Sequence, residues 1–95
     1  MSTKDEYIRK MHSRLDQLSN EIDVLATKVD HVEEKVRAEY HQQIGVLRSK
    51  QDEVRNRISA LQQTSESAWE DMKAGVELAW DAVSQAIDSA KSRFK

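Results

Sequence analysis

Apolar residues form one line along most of this chain, and the line changes period partway. It begins Ile8, Met11, Leu15, Leu18, Ile22, Leu25, Val29, Val32, Val36, in alternating steps of three and four. It ends Leu61, Met72, Val83, Phe94, in steps of eleven. Both periods belong to long helices that bury one face against a partner surface. The pattern therefore predicts an all-α protein: a long coiled-coil helix followed by a second amphipathic helix. Whether the second folds back on the first as a helical hairpin is left open by the pattern.

The first segment, residues 1–63, reads as a heptad coiled-coil helix. Thr3 and Glu6 have the spacing of a capping box at its start. One seam position holds Ile8, Leu15, Ile22, Val29 and Val36, the other Met11, Leu18, Leu25 and Val32. The heptads then slip: Glu39 falls where an apolar residue is due, and the line steps through Tyr40, Ile44, Leu47, Gln51, Val54, Ile58 and Leu61. Four residues have in effect been inserted, which locally unwinds a left-handed supercoil. Gly45 lies beside the slip. The expectation is a continuous helix with a local irregularity there.

The break is expected at Gln62-Gln63-Thr64-Ser65-Glu66-Ser67, six polar residues in succession. Ser67 and Glu70 have the spacing of a second capping box. No Gly or Pro forces a turn, so one helix running straight through is the alternative. Residues 64–95 read as an amphipathic helix with eleven-residue repeats, LQQTSESAWED, MKAGVELAWDA and VSQAIDSAKSR, the first of them opening at Leu61. Trp69, Met72, Val76, Trp80, Val83, Ile87 and Phe94 share one arc of about 120°, with Ala68, Ala79 and Ala90. An arc that wide suits a broad surface better than a two-stranded seam. These seven residues are the expected interaction face.

Composition narrows the functional classes. The chain has 95 residues, no Pro, no Cys and two Gly, and a third of it is charged. That is the composition of a coiled coil or long helix. Basic and acidic residues balance at eleven each over 1–63, and the net charge of −2 arises in 64–95. No basic patch is present for a nucleic-acid backbone, so DNA or RNA is not expected as a partner. No apolar run approaches the ~20 residues of a membrane span. The first residues carry no signal core, so the expected location is cytoplasmic.

Candidate chemistry is sparse. His31 and Glu34 stand three apart and could share a helix face, but a zinc site needs about three protein ligands, and Lys35 would repel a cation. No metal and no cofactor are expected. The adjacent carboxylates Asp5-Glu6, Glu33-Glu34, Asp52-Glu53 and Glu70-Asp71 point ~100° apart on a helix and face no common cleft. No catalytic residues are assigned, and an enzyme is not expected. Trp69 and Trp80 read first as large members of an intramolecular or self-association core. The alternative makes them anchors in a lipid surface or a partner groove. The acidic centre of the polar face (Glu70, Glu77, Asp81, Asp88) weighs against a membrane.

The block Trp69-Glu70-Asp71-Met72-Lys73-Ala74-Gly75-Val76-Glu77-Leu78-Ala79-Trp80-Asp81 resembles the C-terminal motif of a group of small bacterial coiled-coil proteins, some labelled stress-response. The resemblance implies a bacterial, cytosolic coiled coil and transfers no catalytic residue. The expected function is thus a non-enzymatic self-association or interaction protein, a homo-oligomer with room for a protein partner. Stress response enters by resemblance. The alternative is a peripheral lipid- or granule-surface-binding protein using the C-terminal helix.

Overall fold

The computed structural model describes residues 3–93, so Phe94 lies outside the described residues. Three helices account for nearly all of them: α1 (Thr3–Val29), α2 (Glu34–Gln62) and α3 (Trp69–Arg93). They run up, down and up in a bundle of 52 × 19 × 18 Å. The two short dimensions equal about two helix diameters, as three helices in a triangle require.

The bundle is all-α, and α3 does fold back, but the long first helix is two helices. The expected single helix over 1–63 is interrupted at residues 30–33, where α1 turns back into α2. The slip beside Gly45 leaves no break; α2 passes through it as regular helix. The physical reason for the turn is local and weak. Val29, Asp30, His31 and Val32 are four consecutive residues of the poorer helix-forming group. Folding back there covers the seam of α1 with the chain's own α2. The amides of Asp30, His31 and Val32 bond the carbonyls of Thr27, Lys28 and Val29 at 3.3, 3.0 and 3.4 Å, so the last turn of α1 tightens to i→i+3 geometry. Val32 and Val36, read as seam residues, are only half-buried.

The second turn falls where the polar stretch predicts it. The Ser65 carbonyl accepts the amides of Ala68 and Trp69 at 3.1 and 3.2 Å. Ser67, read as a capping residue, instead places its hydroxyl 3.3 Å from that of Ser65. The C-terminal turn of α2 carries no basic side chain of its own. Lys4, at the start of α1, supplies one from outside: its Nζ donates to the carbonyls of Thr64 and Gln62 at 2.7 and 3.3 Å. A cation at that position satisfies carbonyls the helix leaves open and complements its dipole.

One continuous core runs the length of the bundle. From α1 it takes Ile8, Met11, Leu15, Leu18, Ile22, Leu25 and Val29, and from α2 Ile44, Leu47, Val54, Ile58 and Leu61. From α3 it takes Trp69, Val76, Ala79, Val83, Ile87 and Ala90. One polar side chain is buried with them. Gln51, 4 % exposed, occupies a seam position of α2 and donates through Nε2 to the hydroxyl of Ser19, with the Leu15 carbonyl at 3.4 Å. This bond ties α1 to α2 at one register, because a shift of one turn would leave the amide unpaired among apolar side chains.

Two stability predictions follow from these placements. A methyl group at Gly45 would meet nothing within 4 Å, so Gly45→Ala is expected to stabilise the bundle by about 0.5–1 kcal/mol in urea unfolding. Ser19→Ala leaves the buried Gln51 amide only the long contact to the Leu15 carbonyl and is expected to cost about 1–3 kcal/mol. Adding Gln51→Leu should recover most of that loss, since both halves of the polar pair are then gone. A double variant no more stable than Ser19→Ala alone would contradict the register role.

Candidate functional site

The seam between α1 and α3 differs from the other two. These helices are parallel, and they approach each other less closely than either approaches α2. Bulky and polar side chains fill the space. Near the start of both helices, the rings of Tyr7 and Trp69 lie 5.7 Å apart at 39°. Lys73 Nζ sits 5.0 Å from the Tyr7 ring centre and 5.9 Å from that of Trp69, within cation–π range of both. One helical turn on, the Tyr7 phenol donates to Glu77 Oε1 at 2.8 Å. Lys73 and Glu77 are four apart on α3, so they bracket the tyrosine from one face.

Burial, then the hydrogen bond and charge of Glu77, push the Tyr7 phenol well above its ordinary value of 10.0, while Arg14 pulls weakly the other way. The direction matters chemically. A phenol held protonated is a donor and an anchor, and is further from acting as a base or nucleophile than a free tyrosine.

Midway along the seam, the Arg14 guanidinium lies 5.6 Å from the Trp80 ring centre. Beyond it opens a shallow groove of about 290 Å³ with Leu18, Trp80 and Ile87 among its apolar lining and Glu21, Asp88 and Lys91 along it. Lys91 Nζ reaches Glu21 Oε1 at 3.1 Å, across the two helices. On the far side of this strap a second depression, of about 360 Å³, is lined by Val24, Leu25 and Lys28. A third, of about 200 Å³, lies between α2 and α3 over Val46, Leu47, Ala86 and Ala90. None is enclosed.

The seven residues of the expected interaction face separate into three groups. Trp69, Val76, Val83 and Ile87 are buried in the chain's own core, so they are not an open docking surface. Their stripe is too apolar to stay wet when α2 is within reach. Met72 is 39 % exposed and Trp80 half-buried at the edge of the α1–α3 groove. Phe94 lies outside the described residues.

His31 sits in the first turn and Glu34 opens α2, so the helical face they would have shared does not exist. Among the described residues no three His, Cys, Asp or Glu side chains gather where they could hold a metal ion. His12, His31 and His41 are all exposed. No described helix is long and apolar enough to cross a membrane.

Lys4, Tyr7, Arg14 and Ser19 are among the residues whose tertiary roles escaped the sequence reading. Tyr7 and Arg14 each precede a seam residue, Ile8 and Leu15, and Ser19 follows one, Leu18. A flanking position one residue off the stripe is the signal that marks them.

No protein-family model, no curated protein and no solved structure matches the chain. The resemblance carried by residues 69–81 therefore stands on those residues alone.

The Tyr7 environment generates a pH prediction. A raised folded-state value means that this group's contribution is full below the unfolded tyrosine's value near 10. It is lost as pH climbs beyond that, because the unfolded chain releases the proton and the bundle does not. Stability should therefore fall between about pH 9.5 and 11.5, and Tyr7→Phe should flatten that fall in urea titrations across the range. An unchanged pH slope in the phenylalanine variant would refute the assignment.

Proposed function

We propose that the chain is a non-enzymatic, cytoplasmic interaction protein that works by helix–helix association, with further copies of itself as its first partner. One observation supports the non-enzymatic part of the reading, while self-association rests on the heptad stripe that keeps its phase through Val29, Val32 and Val36. The apolar stripe of all three helices is committed to helix–helix seams, while the polar side chains stay dispersed over the outer faces. The ion pairs Arg48–Asp23, Arg55–Asp52, Arg57–Glu53 and Lys91–Glu21 are all about half exposed, and such pairs contribute ~0–1 kcal/mol each. They decorate a scaffold rather than assemble a reaction centre. The Tyr7 phenol, pushed from its ordinary value, is pushed away from reactivity. A role in bacterial stress response rests on the resemblance of the double-Trp block.

Lipid- or granule-surface binding is the competing reading. It requires α3 to leave the bundle, since four of its seven face residues are buried against α1 and α2. That cost weighs against it.

Static light scattering from micromolar to millimolar concentration tests the reading, with tryptophan emission followed against anionic vesicles in parallel. Rising mass with concentration and no vesicle-induced blue shift is the expected result. A constant mass of 11.0 kDa with a blue shift on vesicles, lost in Trp69→Ser/Trp80→Ser, would replace it with lipid binding.

A further inference from the structure

The two turns of the bundle are held differently. The 63–68 turn is tied from outside and from within. Lys4 of α1 bonds two carbonyls there, and the Thr64 hydroxyl returns to the Ala60 carbonyl at 2.9 Å. The apolar stripe is also interrupted at this turn by polar residues. The 30–33 turn is tied locally, by Arg37 and backbone bonds. Like the 63–68 turn, it contains no Gly or Pro, and no described residue has a positive φ. Glu33, at the N-cap of α2, makes no side-chain capping bond. The Arg37 guanidinium reaches the Val32 carbonyl at 3.1 Å but leaves its Nε buried and unpaired. The heptad stripe meanwhile passes through this turn without losing phase, as Val29, Val32, Val36.

The register of α1 against α2, centred on the turn as in any helical hairpin, fixes where the two-fold axis of an exchanged pair would fall. Lys4 faces Gln62, Leu15 and Ser19 face Gln51, and Asp23 faces Arg48. Each of these pairs is centred, along the sequence, at about residue 34, inside or beside the turn itself. If the turn straightened, α1 and α2 would become one helix. Two such helices from two chains, laid antiparallel, would re-form every α1–α2 contact of the bundle between copies. Their two-fold axis would pass near residue 34, and Val32 of one copy would meet Val36 of the other. In the single chain these two valines are only half-buried.

From this we propose that the chain dimerises by exchanging α1 about the 30–33 hinge, its partner being a second copy of the same chain. The proposal rests on the self-association reading above and specifies how it occurs. The exchanged dimer is two three-helix bundles end to end, each built from α2 and α3 of one chain and α1 of the other. Exchange of an identical element costs little, because both states use the same interfaces. The dimer gains the central valine contact and releases the uncapped turn, against the entropy of association.

Glu34→Pro separates the two states. Position 34 is the first residue of α2, where Pro is tolerated, and Glu33 before it already has the extended ψ of 144° that a following Pro demands. In the straightened helix the same Pro sits at the centre, removing a hydrogen bond and clashing with the preceding turn, once in each chain. Dimerisation should weaken by at least about a thousandfold while helicity and monomer stability hold.

The test combines light scattering, small-angle scattering and a distance measurement. The chain has no cysteine of its own, so Ser13→Cys/Arg55→Cys accepts two spin labels selectively. Labelled chains are diluted into unlabelled wild type. In the closed bundle these positions lie on adjacent helices whose axes are about 10 Å apart; along one straight helix they are about 60 Å apart. The expected result is a dimer of twice 11.0 kDa, a particle about 90 Å long instead of 52 Å, and the long intrachain distance. A dimer that keeps the short distance, or that Glu34→Pro leaves intact, overturns the exchange and leaves self-association standing. A chain that stays monomeric at millimolar concentration overturns both.

Discussion

An apolar stripe on a helix in water has to be covered, and everything else in this fold follows from how the chain covers its own. Each of its three helices is amphipathic, and none could persist alone, because helical stability in water comes from packing one face rather than from propensity. The seam of α1 is closed by α2, and the remaining faces of both are closed by α3. The turns, caps and ion pairs adjust this arrangement but do not create it. The surface pairs are too exposed to hold helices together. Gln51 is different: its bond to Ser19 adds little energy, yet it makes one register far better than its neighbours.

The three seams are not equivalent. The two antiparallel ones are closely approached and filled by aliphatic side chains. The parallel α1–α3 seam is wider and carries Tyr7, Trp69, Arg14 and Trp80, where stacked rings and cations over their faces replace interdigitated aliphatics. Such contacts bridge a larger gap with fewer residues. They also leave it incompletely filled, and two surface depressions lie along it.

Much of this was legible in the residues. Every α1 stripe residue from Ile8 to Val29 is buried, and so are Ile44, Leu47, Val54, Ile58 and Leu61 of α2, because a period near 3.6 leaves few alternatives. The end of the second helix was legible in the polar run 62–67. The first turn was not, because periodicity records which face is apolar and is blind to whether a helix continues. Val29, Asp30, His31 and Val32 keep the heptad phase while lowering helix propensity, and the phase is the louder signal. Four of the seven residues read onto the α3 face are buried in the bundle, but the face's partner was not legible: the same arc fits a foreign surface and the chain's own α2 equally well. Tyr7 and Glu77 come together only through tertiary packing, seventy positions apart, and no local pattern announces such a pair.

Lys4 reaches from the first turn of α1 to carbonyls about sixty positions later, and this contact shapes how the molecule comes apart. The α2–α3 hairpin lacks a basic residue at the end of α2, so without α1 its connecting turn keeps open carbonyls. The hairpin is thus incomplete as a unit, and α1 is incomplete without the hairpin. Losing α1 therefore costs the 63–68 turn a contact as well as uncovering the apolar faces of α2 and α3. On a ribosome, Lys4 emerges long before the carbonyls of Gln62 and Thr64 that it bonds, so the contact waits for all of α2 to be made and precedes α3.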